Sequence, residues 1–322
     1  MKPNITNACA GYFQDWLEVM LTPKCNATCS WCIEKKGYKP AGIVRWQEIA
    51  EAIKGSLAQN IILLGGEPTL FKDIQLLINE IISVGKDVWI TTNGGKLNPQ
   101  YIKEHLVGIK GINLSIHHYN LALNKEITGL EINFEVLKDS IKSLHKMRIV
   151  VRLNCNVIKG YIDSPESIIS YVFFAKAIGA DKIRFAELKN DVDKFVDLAA
   201  MLNYKYGLND NPFIYGCYSD AVIYDMPVNF RQMCGLQTSR RIKPIDPEQE
   251  IKKVLYYDGK FYDGWQINAE EGMMNKQWLD KLLEQVRKGE ISPDDAAKAI
   301  GSRNKSKNVT KRTHTSSGGC AY

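Results

Sequence analysis

The sequence lacks any apolar run near the roughly 20 residues that cross a bilayer. Its first residues, as far as Gln14, hold no continuous apolar stretch, so no secretory signal is read there. These two absences predict a cytoplasmic protein with no membrane partner. Solenoid repeats are missing as well. Acids are absent from residues 301–322, which carry Arg303, Lys305, Lys307, Lys311 and Arg312. Most of the net charge of +6 therefore sits in that tail, and the rest of the chain is close to neutral. A neutral body does not support nucleic-acid binding. Disordered and fibrous classes are excluded by 45% hydrophobic and 24% charged residues, which is globular composition. At 322 residues the chain is long enough for about two domains and a core that needs no disulfides.

What is present is an alternation of short apolar runs with amphipathic ones from residue 16 to about 203. Strands are expected at Trp16–Leu21, Asn60–Leu64, Asp87–Thr92, Ile112–His117, Ile149–Ile158 and Lys182–Glu187. Helices are expected at Arg45–Lys54, Lys72–Val84, Asn98–Leu106, Asn133–Lys146, Ser164–Ile178 and Asp191–Leu202. Asn98-Pro99 and Ser164-Pro165 place a capping side chain just before a proline in the first turn. Six β-α units imply a parallel sheet, as a partial barrel or a doubly wound sheet, and periodicity does not choose between them. In either, functional groups gather at the carboxyl ends of the strands.

Three of the eight cysteines, Cys25, Cys29 and Cys32, fall within eight residues just after the first strand. Clustered thiols in a reducing compartment point to a metal or redox site. A structural zinc site closes with four ligands. Here the next cysteine is Cys155 and the next histidine His105. Three thiolates can hold three corners of an iron–sulfur cluster and leave one metal position open.

The loop Cys25-Asn26-Ala27-Thr28-Cys29-Ser30-Trp31-Cys32 resembles the C-x3-C-x2-C cluster loop of the radical S-adenosylmethionine (SAM) superfamily. Further segments carry the resemblance in the family's order. Gly65-Gly66-Glu67-Pro68 resembles its GGEP motif, and Thr91-Thr92-Asn93-Gly94 its TNG turn. Ser115-Ile116-His117 ends the fourth strand, where the family places ribose-contacting groups and many relatives have Asp in place of His117. Arg152 and Asn154 share one face of the fifth strand, at positions the family uses for the SAM carboxylate and ribose. Ile183–Glu187 resembles the sixth strand of the molybdopterin-pathway GTP cyclase branch, with Glu187 facing substrate or paired with a lysine.

The resemblance covers about residues 12–203 and implies a partial (β/α)6 TIM-like barrel. It implies a [4Fe–4S] cluster on Cys25, Cys29 and Cys32, and SAM seated by Trp31, Gly65, Gly66, Glu67, Thr92, Asn93, Ser115, His117, Arg152 and Asn154. In the bottom-up reading, the two glycines let backbone approach a ligand closely and Glu67 accepts hydrogen bonds from the SAM ammonium. Trp31 is expected near adenine. A low-potential electron donor of flavodoxin or ferredoxin type is the implied partner. The implied reaction cleaves SAM and abstracts a substrate hydrogen, from a peptide first and a nucleotide or other small molecule second. The absence of a legible N-terminal leader-binding domain counts against the peptide. A redox sensor built on the same cluster, and a zinc-stabilised scaffold, are the readings from other classes.

The domain expectation is a barrel over residues 1–204, a small α+β auxiliary-like domain (SPASM or twitch type) over 205–272, a helical segment over 273–301 and a disordered basic tail over 302–322. Tyr257-Asp258-Gly259-Lys260 reads as a hairpin turn. Asp263 stands where an auxiliary-cluster cysteine would be, which leaves Cys217 and Cys234 and predicts a domain without a cluster, the alternatives being a site completed by Cys155, Cys9 or Asp263, or two buried thiols. Cys320, near the chain end, is a candidate hydrogen-atom donor, acceptor or regulatory thiol.

Overall fold

The structure is a computed structural model, and it describes residues 16–36, 42–188, 191, 193–203, 218–231, 254–262, 284–292 and 295. Cys9, Cys217, Cys234, Asp263, Cys320 and the basic tail lie outside the described residues, as does most of the helical segment expected after 273.

Six parallel strands carry the fold: β1 (Trp16–Met20), β2 (Asn60–Leu64), β3 (Asp87–Thr92), β4 (Gly111–Ser115), β5 (Val150–Val157) and β6 (Lys182–Glu187). They lie side by side in chain order. The helices are α1 (Ile33–Lys36), α2 (Trp46–Lys54), α3 (Ile74–Ser83), α4 (Pro99–His105), α5 (Leu121–Thr128), α6 (Phe134–Lys146), α7 (Pro165–Ile178) and α8 (Leu198–Asn203). Caps set their starts. Asn98 accepts from the Tyr101 N–H, Asn133 from those of Glu135 and Val136, and Ser164 from that of Ser167. Helix α6 then buries Leu137, Ile141 and Leu144 on one stripe. The alternate strand residues Val19, Leu63, Ile90, Leu114, Leu153 and Phe185 are buried in the same core as these helical residues.

The other strand face is concave. Trp16 on β1 meets Trp89 on β3 at 5.9 Å between ring centroids. The Lys182 ammonium, on β6, lies 5.4 Å from the same Trp89 ring, and the Arg152 guanidinium on β5 lies 5.9 Å from it. In a flat sheet β3 and β6 stand roughly 14 Å apart, so these contacts require the sheet to curl into a partial barrel. Trp16 and Lys182 open their strands, so this aromatic–cationic group forms a floor of half-buried side chains at the amino ends. Gly111 makes room for it, because a Cβ there would stand 2.2 Å from the Trp89 ring.

Both ends of the sheet are extended. Strand β8 (Met226–Arg231) pairs parallel to β6 and forms a hairpin with β7 (Tyr218–Ile223). Strand β9 (Val254–Leu255) pairs parallel to β1 and turns back into β10 (Phe261–Tyr262). The turn at Tyr257–Lys260 is present, with Gly259 at φ +75°. Residues 205–272, expected as an auxiliary-like domain, thus contribute barrel-edge strands wherever they are described. Two other expectations change. Helix α5 appears between β4 and α6, and the helix expected from Asp191 begins only at Leu198.

By contacts the chain forms two compact units. One comprises Met1–Trp31, Pro40–Gly264 and Ser317–Tyr322; the other comprises Cys32–Lys39 and Trp265–Ser316. In the second, α1 is a single turn, and Lys288 pairs with Glu284 at 2.8 Å. Among the described residues no helix is long and apolar enough to cross a membrane.

Candidate cofactor site

The segment leaving β1 runs beside the turn that leaves β2. Leu21 donates to the Leu64 carbonyl at 2.8 Å, Gly66 to that of Thr22 at 2.7 Å, and Glu67 to that of Lys24 at 2.8 Å. Side chains do not fit between these backbones. A Cβ on Gly66 would stand 2.3 Å from the Lys24 carbonyl oxygen, and one on Gly65 2.7 Å from that of Thr22. The glycines were expected to admit a ligand; what they admit here is the entry of the cysteine loop itself.

Three more ties hold that loop. The Asn93 side-chain amide donates to Asn26 at 2.8 Å and reaches the Cys25 sulfur at 3.8 Å. The Ala27 N–H also points at that sulfur, at 3.3 Å. Thr28 donates its N–H to the Thr128 carbonyl at the end of α5, at 2.7 Å. Ser30 bonds to the Lys194 ammonium from the loop after β6, and the same ammonium stands 5.7 Å from the Trp31 ring centre. Cys25, Cys29 and Cys32 are all half-buried. Among the described residues no three His, Cys, Asp or Glu side chains converge to hold a single metal ion. A cubane cluster makes a different demand, since each thiolate takes its own iron at a separate corner.

Glu67 is 1% exposed, and its carboxylate is engaged within the chain. One oxygen accepts from the Thr69 N–H at 3.0 Å, the Thr69 hydroxyl at 2.6 Å and the Thr92 hydroxyl at 2.6 Å; the other accepts from the Asn93 N–H at 2.8 Å. Burial pushes its pKa up against the downward pull of those bonds. Four donors fill about the whole capacity of a carboxylate. Glu67 and Thr92 therefore join the ends of β2 and β3.

The concave face at the carboxyl ends of β4 and β5 is different. Ser115 and Asn154 are register partners on these strands. Asn154 is 7% exposed, and among the described residues neither atom of its amide has a hydrogen-bond partner. Two residues on, the Asn156 N–H donates to Nδ1 of His117 at 3.1 Å. The His117 ring packs edge-on to Trp31, with centroids 5.5 Å apart. Burial pushes the His117 pKa down to about 4.

Two expected site residues lie elsewhere. The Arg152 guanidinium is over Trp89 at the floor, away from the strand ends where a SAM carboxylate would bind. Glu187 accepts from the Leu198 N–H at 2.9 Å and so caps α8. Its strand parity matches Ile183 and Phe185 in the outer core, so it does not face the barrel interior. Sequence reading missed Asn124, which accepts from the His117 N–H at 2.8 Å, and also Lys194. Asn124 had a findable signal: Asn120 and Gly129 are an N-cap and a left-handed C-cap around α5. Lys194 had none.

Residues 19–172 match the family model described as the radical SAM superfamily. This part of the chain is similar to that superfamily. The chain is 31% identical over 176 residues to the probable GTP 3′,8-cyclase of Sulfurisphaera tokodaii, covering 53% of this chain and 55% of the relative. It is 28% identical over 203 residues to the GTP 3′,8-cyclase of Aquifex aeolicus, covering 58% and 62%. The chain thus spans little more than half the length of these curated relatives. Among solved structures, Streptococcus suis SuiB bound to S-adenosylmethionine aligns with a TM-score of 0.57 at 21% identity, over 78% of this chain and 60% of SuiB. At that identity the likeness shows the fold, and it agrees with the partial barrel.

The residues present fit a radical SAM cofactor set on two observations. The Cys25 sulfur faces N–H donors that stabilise a thiolate, and the Asn154 amide is a buried, unpartnered donor–acceptor pair on the concave face.

Proposed function

We propose that this chain is a radical SAM enzyme in which Cys25, Cys29 and Cys32 hold a [4Fe–4S] cluster and the carboxyl ends of β2 to β5 seat SAM. The chemistry such a cluster supplies when bound is one-electron cleavage of SAM to methionine and a 5′-deoxyadenosyl radical. The chain's own residues do the rest. Gly65, Gly66 and Asn93 hold the cysteine loop against the strand ends. Ser115 and Asn154 present polar groups to SAM from neighbouring strands. Trp16, Trp89, Arg152 and Lys182 pack together at the amino ends of the strands, away from the cysteine loop. The observation that carries this reading is the unpartnered Asn154 amide on the strand next to the cysteine-loop contacts.

A low-potential flavodoxin or ferredoxin would supply the electron, and a cytoplasmic setting suits thiols that must stay reduced. The first substrate reading is a peptide, supported by the tyrosine-rich composition of residues 205–272. A nucleotide is the second, favoured by the 31% identity to a probable GTP 3′,8-cyclase. The reconstituted protein is to be given SAM and dithionite with GTP or with a peptide library, and 5′-deoxyadenosine quantified. Acceleration by one class and not the other assigns it. Acceleration by neither removes both substrate readings.

A further inference from the structure

The cysteine loop receives a charged contact from the segment after β6. The Lys194 ammonium donates to the Ser30 hydroxyl and stands 5.7 Å from the centre of the Trp31 ring. Ser30 and Trp31 are the two residues between Cys29 and Cys32. Surface lysines usually sample many rotamers, because holding one still costs side-chain entropy. Lys194 is instead held at both ends. Its carbonyl accepts from the Lys159 N–H, just after β5, at 3.0 Å. Its ammonium also has the Asp191 carboxylate at 3.7 Å. The Lys194 side chain is 37% exposed and that of Asp191 17%, so solvent and salt screen these charges less than fully exposed ones.

The contacts at Cys25 are of another kind. The Ala27 N–H and the Asn93 amide that face its sulfur are neutral dipoles. Lys194 brings a full charge to the stretch between the other two cysteines. Reduction adds one electron to an iron–sulfur cluster, and the surrounding charge and hydrogen bonds help set its potential. A fixed cation beside the loop stabilises the reduced cluster more than the oxidised one and so raises the potential. Asp191, beside that cation, offsets part of the effect.

We infer that the Lys194 ammonium, held on Ser30 and Trp31, raises the reduction potential of the cluster on Cys25, Cys29 and Cys32 and so eases electron uptake from a low-potential donor. Lys194 is a positioning residue that acts through its field on the loop. The inference rests on the proposed cluster and on no substrate. The test reads potential in place of turnover. Lys194→Gln keeps a donor for Ser30 and removes the charge. Lys194→Arg keeps the charge. Asp191→Asn removes the offsetting acid.

Full-length wild type and the three variants are to be reconstituted with iron and sulfide and titrated anaerobically with dithionite and redox mediators, without SAM. Electron paramagnetic resonance reads the reduced cluster, and iron content and melting temperature confirm loading and folding. In Lys194→Gln the ratio of reduced to oxidised cluster at a fixed potential is expected to fall about three- to tenfold, a midpoint about 30–60 mV lower. Lys194→Arg is expected within about twofold of wild type, since its charge persists. Asp191→Asn is expected to shift the ratio the other way. A loaded Lys194→Gln with the wild-type midpoint would overturn the inference alone and leave Lys194 as a brace of the loop. An equal fall in Lys194→Gln and Lys194→Arg would overturn it too, because the charge would not be the cause. Where Lys194→Gln does not load, Asp191→Asn decides in its place, and a wild-type midpoint there would overturn the inference. A wild-type protein that takes up no iron–sulfur cluster would overturn the inference and the cofactor reading together.

Discussion

Gly66 shows how little freedom the site leaves to a single residue. Its Cα faces the Lys24 carbonyl so closely that any Cβ collides with backbone, which has no rotamer to retreat to. Gly66→Ala is expected to cost about 1–3 kcal/mol and to pull the cysteine loop from the β2 end. Urea unfolding and iron bound per chain after reconstitution check this, and both are expected to fall. His117 makes a prediction about pH. Its folded pKa, about 4, lies below the unfolded value near 6.5, so between these values the unfolded chain binds more protons. Stability from the neutral ring is complete above about pH 6.5 and is lost as the pH falls toward 4. Between pH 7.5 and pH 5 the apo wild type is expected to lose about 2 kcal/mol more than apo His117→Asn, read from urea midpoints. Equal losses in the two proteins would contradict a buried neutral imidazole.

At the scale of elements, the sequence was legible where a periodic stripe met a cap or a turn. Strands β2, β3 and β6 have the bounds expected from their apolar runs, and α4, α6 and α7 start at the expected caps. Helix α5 was missed because its apolar stripe is weak and it buries the polar Asn124 and Thr128. The helix expected from Asp191 begins only at Leu198, and Lys194, in a turn before it, is used elsewhere: its carbonyl accepts from the Lys159 N–H, and its ammonium donates to the Ser30 hydroxyl and stands over the Trp31 ring. Tertiary bonds override helix propensity there. The site was legible as strand-end motifs, but the roles within it were not. The internal donors to Glu67 and the place of the Arg152 head group over Trp89 depend on neighbouring strands and leave no mark in the local sequence. The floor yields the element-scale prediction. Gly111→Ala would push a methyl into the Trp89 ring, which Trp16, Arg152 and Lys182 surround. A loss of about 1–3 kcal/mol and a shifted tryptophan emission spectrum are expected.

For the whole molecule, the described parts of residues 205–272 complete the barrel edges by pairing β8 with β6 and β9 with β1. Short strands declare their own conformation but not their partners, which is why the sequence suggested a separate domain. The resulting ten-stranded sheet carries the polar Ser115 and Asn154 toward the carboxyl ends of its strands and the Trp16–Trp89 ring pair toward the amino ends. The most direct measurement is anaerobic: the reconstituted protein with SAM and dithionite, assayed for 5′-deoxyadenosine by mass spectrometry beside Cys29→Ala. The account predicts 5′-deoxyadenosine from the wild type and none from the variant. Wild-type protein that binds SAM and carries its cluster yet forms no 5′-deoxyadenosine, with peptide or GTP present, would contradict it and favour an iron–sulfur sensor.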